Sequence, residues 1–299
     1  MQDRRSFLAA LAATSLGACA RMAVGSSPAD ANATLDAQQR AAGGTSGGTP
    51  IAPIGLQLYT VRDAMQRDVA GTLAHVARVG YKEVEFAGYF DKTPSEIRSI
   101  LDANGLRAPS SHLGIDVLEK GGLGAAIDAA KVVGHEYLVL AWLPPDRRGS
   151  LDEYRRHAAL MNRSAEQAKR AGLRFAYHNH DFEFEPTAAG IPYDLLLAET
   201  DPSLVQMELD LYWTVRAGQD PLTYFARYPG RFTMVHLKDS AGAPEHQMTP
   251  VGRGTIDFAR ILSRRDQAGI RHFFVEHDDA ADPWASIETS YQNVSKMRV

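Results

Sequence analysis

Leu173–Phe184 reads LRFAYHNHDFEF. Leu173, Phe175 and Tyr177 alternate as in a strand, and the run ends abruptly in His178, Asn179, His180, Asp181 and Glu183. Three later apolar runs also finish on a metal-capable side chain: MELD at Asp210, MVHLKD at His236 and FFVEHD at Glu276. Strands that each deliver one such residue at their carboxyl ends describe a single mouth, and a parallel (β/α)8 TIM barrel is the simplest fold that provides one. A strand end backed by a closed barrel holds a ligand more firmly than a loop does.

Working outward, apolar runs alternate with amphipathic helical runs from residue 51 to residue 299. The strands expected are Ile54–Tyr59, Glu83–Phe86, Arg107–His112, Tyr137–Trp142, Leu173–His178, Val205–Asp210, Phe232–Leu237 and His272–Glu276. Helices are expected at Val69–Val79, from Pro94, and at Gly122–Val133, Leu151–Ala171, Tyr193–Glu199, Pro221–Tyr228, Asp257–Gln267 and Pro283–Lys296. Gly80 and Gly105 follow their helices, and Pro94 opens one, the usual asymmetry of helix ends. Eight such units in about 250 residues match one barrel domain. A doubly wound sheet would need a phosphate loop after its first strand, and IGLQLYTVRD has no GxGxxG.

Composition sets the outer bounds. The 299 residues are 44% hydrophobic, enough for a large core. A net charge of -4 gives no basic face for nucleic acid. The single cysteine, Cys19, excludes a disulfide framework and a thiolate metal site.

Met1–Ala20 is an address rather than a structural element. Arg4-Arg5 before Ser6-Phe7-Leu8 and a weakly apolar run read as a twin-arginine export signal, too short to span a bilayer. Leu16-Gly17-Ala18-Cys19 is similar to a lipobox, which would place a lipid anchor on Cys19 and the protein at the periplasmic membrane face; Gly17 is the weaker match. Arg21–Pro50, rich in Ala, Gly, Ser and Thr, is expected to be a disordered linker.

His178, Asp210, His236 and Glu276 form the candidate metal set. Two imidazoles and two carboxylates suit Mn, Co, Zn, Fe or, less well, Mg. Singly, a strand-end His is more often structural, and a strand-end Asp commonly caps the next helix. Four on four successive strands outweigh those readings.

The series IGLQLYTVRD, GYKEVEFAGY, YHNHDFEF, ELDLYW, VHLKD, VGRGTIDF and VEHD resembles the sugar phosphate isomerase/epimerase superfamily, with its xylose-isomerase-like barrel, from Ile54 to about Trp284. The resemblance implies a divalent ion held by Glu, Asp, His and Glu. Asp210, His236 and Glu276 match the last three, whereas His178 stands where the superfamily has its first Glu. Its sugar epimerases use the first and last Glu as paired bases, so the substitution leaves three readings. His178 is a neutral ligand and Glu276 the lone carboxylate base; or Glu183 or Glu185 folds back into the site; or the metal is weaker or absent.

The chemistry implied is proton abstraction beside a carbonyl through an enediolate, on a ketose or keto-sugar. Glu276 is the expected base, His180 the second acid/base, and Lys238 either the holder of an oxyanion or a salt-bridge partner of Asp239 or Glu208. Gln57, Tyr59, Glu85, His112 and Trp142 end the earlier strands as expected substrate contacts. Arg253 either reaches an anionic group or is a solvated loop residue. An exported enzyme meets free or oxidised sugars rather than sugar phosphates. Isomerisation or epimerisation is the leading expectation. The alternatives are a lyase or hydratase acting on a 3-keto sugar or glycoside, a non-catalytic periplasmic sugar-binding barrel, and a repair endonuclease, which the acidic charge disfavours.

Overall fold

A computed structural model of the chain describes residues 48–299. The expected export signal and the linker through residue 47 lie outside the described residues. The linker's last residues are not a free tether. Thr49 and Val299 exchange backbone hydrogen bonds (2.8 and 3.1 Å), and Pro50 bridges Arg298. A composition-based boundary cannot see such a pairing with the far end of the chain.

Eight parallel strands close a barrel: Ile54–Gln57, Glu83–Phe86, Arg107–Gly114, Tyr137–Trp142, Arg174–His178, Val205–Asp210, Phe232–Leu237 and His272–Val275. The last pairs with the first. Strand one is shorter than expected because Leu58–Val61 turns into a 3-10 helix, with Gln57 Oε1 accepting from Tyr59 N (3.0 Å). Short helices at Arg62–Arg67, Ile115–Glu119 and Leu211–Arg216 add to those expected. The helix expected at Asp257–Gln267 is two pieces, Phe258–Leu262 and Arg265–Ala268, broken where Arg264 leaves helical geometry. Asp239–Ser240 and Met248–Thr249 pair as a small antiparallel ribbon above strand seven.

The main core lies between strands and helices, where the outward strand faces are apolar. A second cluster, Tyr137, Val139, Ala176, Met234 and Phe274, fills the barrel interior. Phe274 fits there because residue 55 is glycine: a Cβ on Gly55 would lie 2.4 Å from the ring. Below this plug, Glu83 is buried against Arg107 and His272. Above it the interior turns ionic, and that layer is the floor of the site.

Candidate active site

Side chains on a strand alternate between faces, so residues two apart point the same way. Inward-facing positions therefore come in pairs: Glu208 with Asp210, His236 with Lys238, and Glu276 with Asp278. Register sets neighbours side by side, with His178 opposite Glu208, and Asp210 opposite His236. All of these except Asp278 are buried.

His236 is the hinge of the arrangement. Its Nδ1 lies 2.7 Å from Glu276 Oε2, while its Nε2 lies 2.8 Å from Glu85 Oε1 and 3.3 Å from Glu208 Oε2. His112 Nε2 meets the same two carboxylates, at 2.8 Å for Glu208 and 3.0 Å for Glu85. His178 stands at the edge, its Nε2 3.6 Å from Asp210 Oδ2 and its Nδ1 3.9 Å from Glu208 Oε2. Lys238 Nζ sits between carboxylates, 3.0 Å from Asp210, 2.8 Å from Glu276 and 2.8 Å from Asp278.

Charge follows this geometry. Burial opposes a charge on His112, yet Glu85 and Glu208 lift its pKa to about 10. Burial likewise opposes the charge on His236, and Glu208 and Glu276 raise its pKa well above the usual histidine range. Burial would raise Glu276, but Lys238 and His236 hold it down at about 2. His178 and His180 have no such carboxylate in hydrogen-bond contact. Burial, then the positive neighbours, pushes His178 well below the usual range and His180 down to about 3, so both rings are neutral.

These donors form two overlapping groups able to hold a metal ion, Asp210–His236–Glu276 and His112–His178–Glu208–His236, with ligand atoms in each within 4.8 Å of one another. The donor set fits a divalent cation on a second ground. Both ring nitrogens of His178 and Oε1 of Glu208 are buried without a hydrogen-bond partner, which is costly unless something else engages them.

Above this floor opens a cavity of about 790 Å³. His112, His178, His180, Lys238 and Glu276 line its base, and Tyr59, Trp142 and Trp213 its walls. Arg148 stacks over Trp142 and Phe182 at the rim. The charged lining residues are four carboxylates, Asp116, Glu276, Asp278 and Asp279, and two cations, Lys238 and the protonated His112.

A family profile described as Xylose isomerase-like TIM barrel matches residues 73–292. The chain belongs to this family. Within the xylose isomerase-like family, it is 28% identical over 225 residues to an inosose dehydratase of Lacticaseibacillus casei, spanning 64% of this chain and 75% of that one. An inosose dehydratase of Clostridium beijerinckii is 24% identical over 231 residues, spanning 65% and 76%. A crystal structure of a sugar phosphate isomerase/epimerase from Parabacteroides distasonis superposes with a TM-score of 0.70 at 27% identity, covering 84% of this chain and 96% of that one.

The structure thus brings together His112, His178, His180, Asp210, His236, Lys238 and Glu276, with Tyr59 and Trp142 on the cavity wall of this xylose isomerase-like barrel. Three expected substrate contacts fall elsewhere. Gln57 and Glu85 are wholly buried under the floor, where Gln57 Nε2 donates to Glu85 Oε1 (2.6 Å). Both face inward from strands that end below the mouth. Arg253 is exposed on a turn and does not line the cavity. The VGRG glycines serve Asp239 instead: Gly252 N and Gly254 N each donate to its carboxylate at 2.9 Å. Neither glutamate after the HNH run reaches the mouth. Glu183 is buried, accepting from Tyr177 OH (2.6 Å) and His180 N (2.8 Å), and Glu185 is exposed. Lys238 pairs with Asp210, Glu276 and Asp278, not with Asp239 or Glu208. Glu208 and Asp278 were not singled out as site residues, although each stands two positions from a strand-end acid on the same face.

Proposed function

We propose that this chain is a lyase that eliminates water, or an alcohol, from a polyol ketone by abstracting the proton beside the carbonyl, with a divalent cation at the strand ends. Two curated relatives named inosose dehydratase support elimination over the epimerisation expected first. The observation that carries the reading is His178 in place of a second carboxylate. One strand-end carboxylate, Glu276, and one neutral cavity imidazole, His180, suit a step that removes a proton from one carbon and hands one to a departing oxygen.

The cation would be drawn to the cluster of His178, Asp210, His236 and Glu276 with His112 and Glu208 beneath, and when bound it supplies polarisation of the substrate carbonyl. Lys238 places a fixed positive charge beside Glu276, where it can also stabilise an oxyanion. His180 carries a buried Nδ1 without a partner, free to accept or return a proton. Tyr59, Trp142 and Trp213 give the sugar ring apolar faces. A lining of four carboxylates against Lys238 and the protonated His112 favours a neutral polyol over a sugar phosphate.

The arginine pair and Cys19 support export to the periplasm, with the cysteine as anchor. An epimerase on the same cavity is the second reading, favoured by the Parabacteroides structure at 27% identity.

Incubating the protein and a divalent metal salt with an inosose, and separately with a 3-keto sugar, tests the proposal. Elimination is expected to produce the ultraviolet absorbance of a conjugated enone or its enol. No new absorbance with any of Mn²⁺, Co²⁺, Zn²⁺, Fe²⁺ or Mg²⁺ would count against it.

A further inference from the structure

His180 differs from an ordinary acid/base imidazole in what orients it. Among the described residues, no group hydrogen-bonds either of its ring nitrogens, and Nδ1 is buried. A ring that exchanges protons is usually held by a bond on the nitrogen that does not react. Here the ring stacks between two others, His178 at 4.9 Å and 23° and Phe182 at 5.6 Å and 17°. Stacking fixes the plane of a ring but leaves it loose within that plane. The main chain supplies the rest: His180 N donates to Glu183 Oε2 (2.8 Å), and its carbonyl accepts from Asn179 Nδ2 (3.3 Å).

We propose that Glu183 is a positioning residue, a buried anion that aims the His180 ring into the cavity through the backbone. The inference rests on the reading of His180 as a proton carrier and adds what holds it in place.

Glu183 is wholly buried, and among the described residues no lysine or arginine pairs with it. Its oxygens accept from His180 N and, at 2.6 Å, from Tyr177 OH. Burying a carboxylate without a cation is costly, and an uncharged side chain would meet a packing role alone. The titratable groups facing it are Tyr177 on strand five, Tyr154 on the helix Leu151–Arg170 and Tyr193 on the helix Pro192–Glu199, and the charge of Arg148 also reaches it. Burial pushes the carboxyl up to about 7, against its hydrogen bonds. Ionised, it accepts from both donors. Protonated, it carries a hydrogen on one of those oxygens: on Oε2 this meets the His180 N–H, and on Oε1 it displaces the Tyr177 hydroxyl hydrogen. The hold on His180 is therefore firm above about pH 7 and weaker below it. The ring itself, neutral down to about pH 3, keeps its protonation state throughout.

Glu183→Gln keeps the shape of the protonated acid and cannot ionise, so it tests the role. In the full chain with isotope-labelled histidine and no substrate, the ring signal missing from His180→Asn identifies His180 by NMR. That signal is expected to move as pH crosses about 7 in wild type and to stay still in Glu183→Gln. With an inosose and a divalent metal salt, wild-type kcat is expected to fall by up to about 10-fold from about pH 8 to about pH 6, in step with ionisation, with less change in KM. Glu183→Gln is expected to lose that step and to run about 10- to 100-fold below wild type at the higher pH. Asp278 also lines the cavity, with its pKa raised to about 6, so the step that belongs to Glu183 is the one Glu183→Gln removes. Tyr177→Phe deletes a bond that favours the ionised form and is expected to shift the step to higher pH; it carries the comparison if Glu183→Gln does not fold. A His180 signal that moves equally in wild type and Glu183→Gln, or that stays still in wild type, would overturn the positioning role, as would an unchanged kcat profile in Glu183→Gln. Absence of turnover in wild type would overturn the elimination reading alone, and the NMR comparison then decides the role of Glu183.

Discussion

His180 and Glu276 face one cavity from strands five and eight in opposite electrical states: a ring neutral down to about pH 3, and a carboxylate ionised down to about pH 2. Each is positioned to exchange a proton with a substrate, so Glu276→Gln and His180→Asn are each expected to lower kcat by about 10²–10⁴-fold with a smaller change in KM. An unchanged kcat in either would remove that residue from the chemistry. Outside the cavity lining, His135 offers a second titration. Burial pulls its pKa down to about 4, with Nδ1 2.6 Å from Ala108 O and Nε2 3.0 Å from the Tyr89 hydroxyl. A histidine whose pKa falls on folding contributes stability present above about pH 6.5 and lost as pH drops toward 4. That contribution is on the order of 3 kcal/mol. His135→Gln is therefore expected to flatten the fall in Tm between pH 6.5 and 4, and equal slopes in both proteins would contradict this. The site itself was legible residue by residue only in part. Strand-end positions were readable from the chain because an apolar run stops there. Glu208, a carboxylate inside an apolar run, has no such marker, and only the two-residue period of the strand assigns it to the interior.

At the scale of elements, VHLKD and VGRGTID act as one unit. Asp239 sits in a cradle of backbone amides from Ser240, Gly252, Gly254 and Ile256, at 2.8 to 3.1 Å. It ties the loop after strand seven to the position next to Lys238. A Cβ on Gly254 would lie 2.3 Å from both Asp239 Oδ1 and Ser240 O, so only glycine allows the approach. Asp239→Ala leaves several donors without an acceptor and is expected to cost about 1–3 kcal/mol, or roughly 3–10 °C in Tm for a domain of this size. A melt unchanged within 1 °C, about the scatter of such measurements, would show the cradle to be dispensable. The sequence marks this motif strongly, and of the two readings of Arg253 the fold matches the solvated loop residue. The chemistry lies in the glycine amides, which composition does not display. Asp210 shows the reverse case: its Oδ1 caps the helix Leu211–Arg216 by accepting from Trp213 N (3.0 Å), while Oδ2 faces the cluster. The capping and site readings both hold.

Across the whole molecule, the alternation of apolar runs and helical runs was enough to place all eight strands, with errors of one or two residues at their ends. Strand ends such as Gln57–Val61 escape that reading because a 3-10 turn and a strand share the same apolar pattern. The short helices after strands one, three and six escape it because five or six residues carry too little periodicity. The pairing of Thr49 with Val299 is a contact between chain ends that no local pattern reports. Barrel closure concentrates four histidines, a lysine and five carboxylates above one apolar plug, and the account turns on what that concentration does to a polyol ketone. Proton NMR of an inosose in D₂O with the protein and a divalent metal follows this directly. The expected result is loss of the C–H signal beside the carbonyl together with signals of an unsaturated product. Deuterium appearing at that carbon with the polyol skeleton intact, or a spectrum that does not change, would contradict the account.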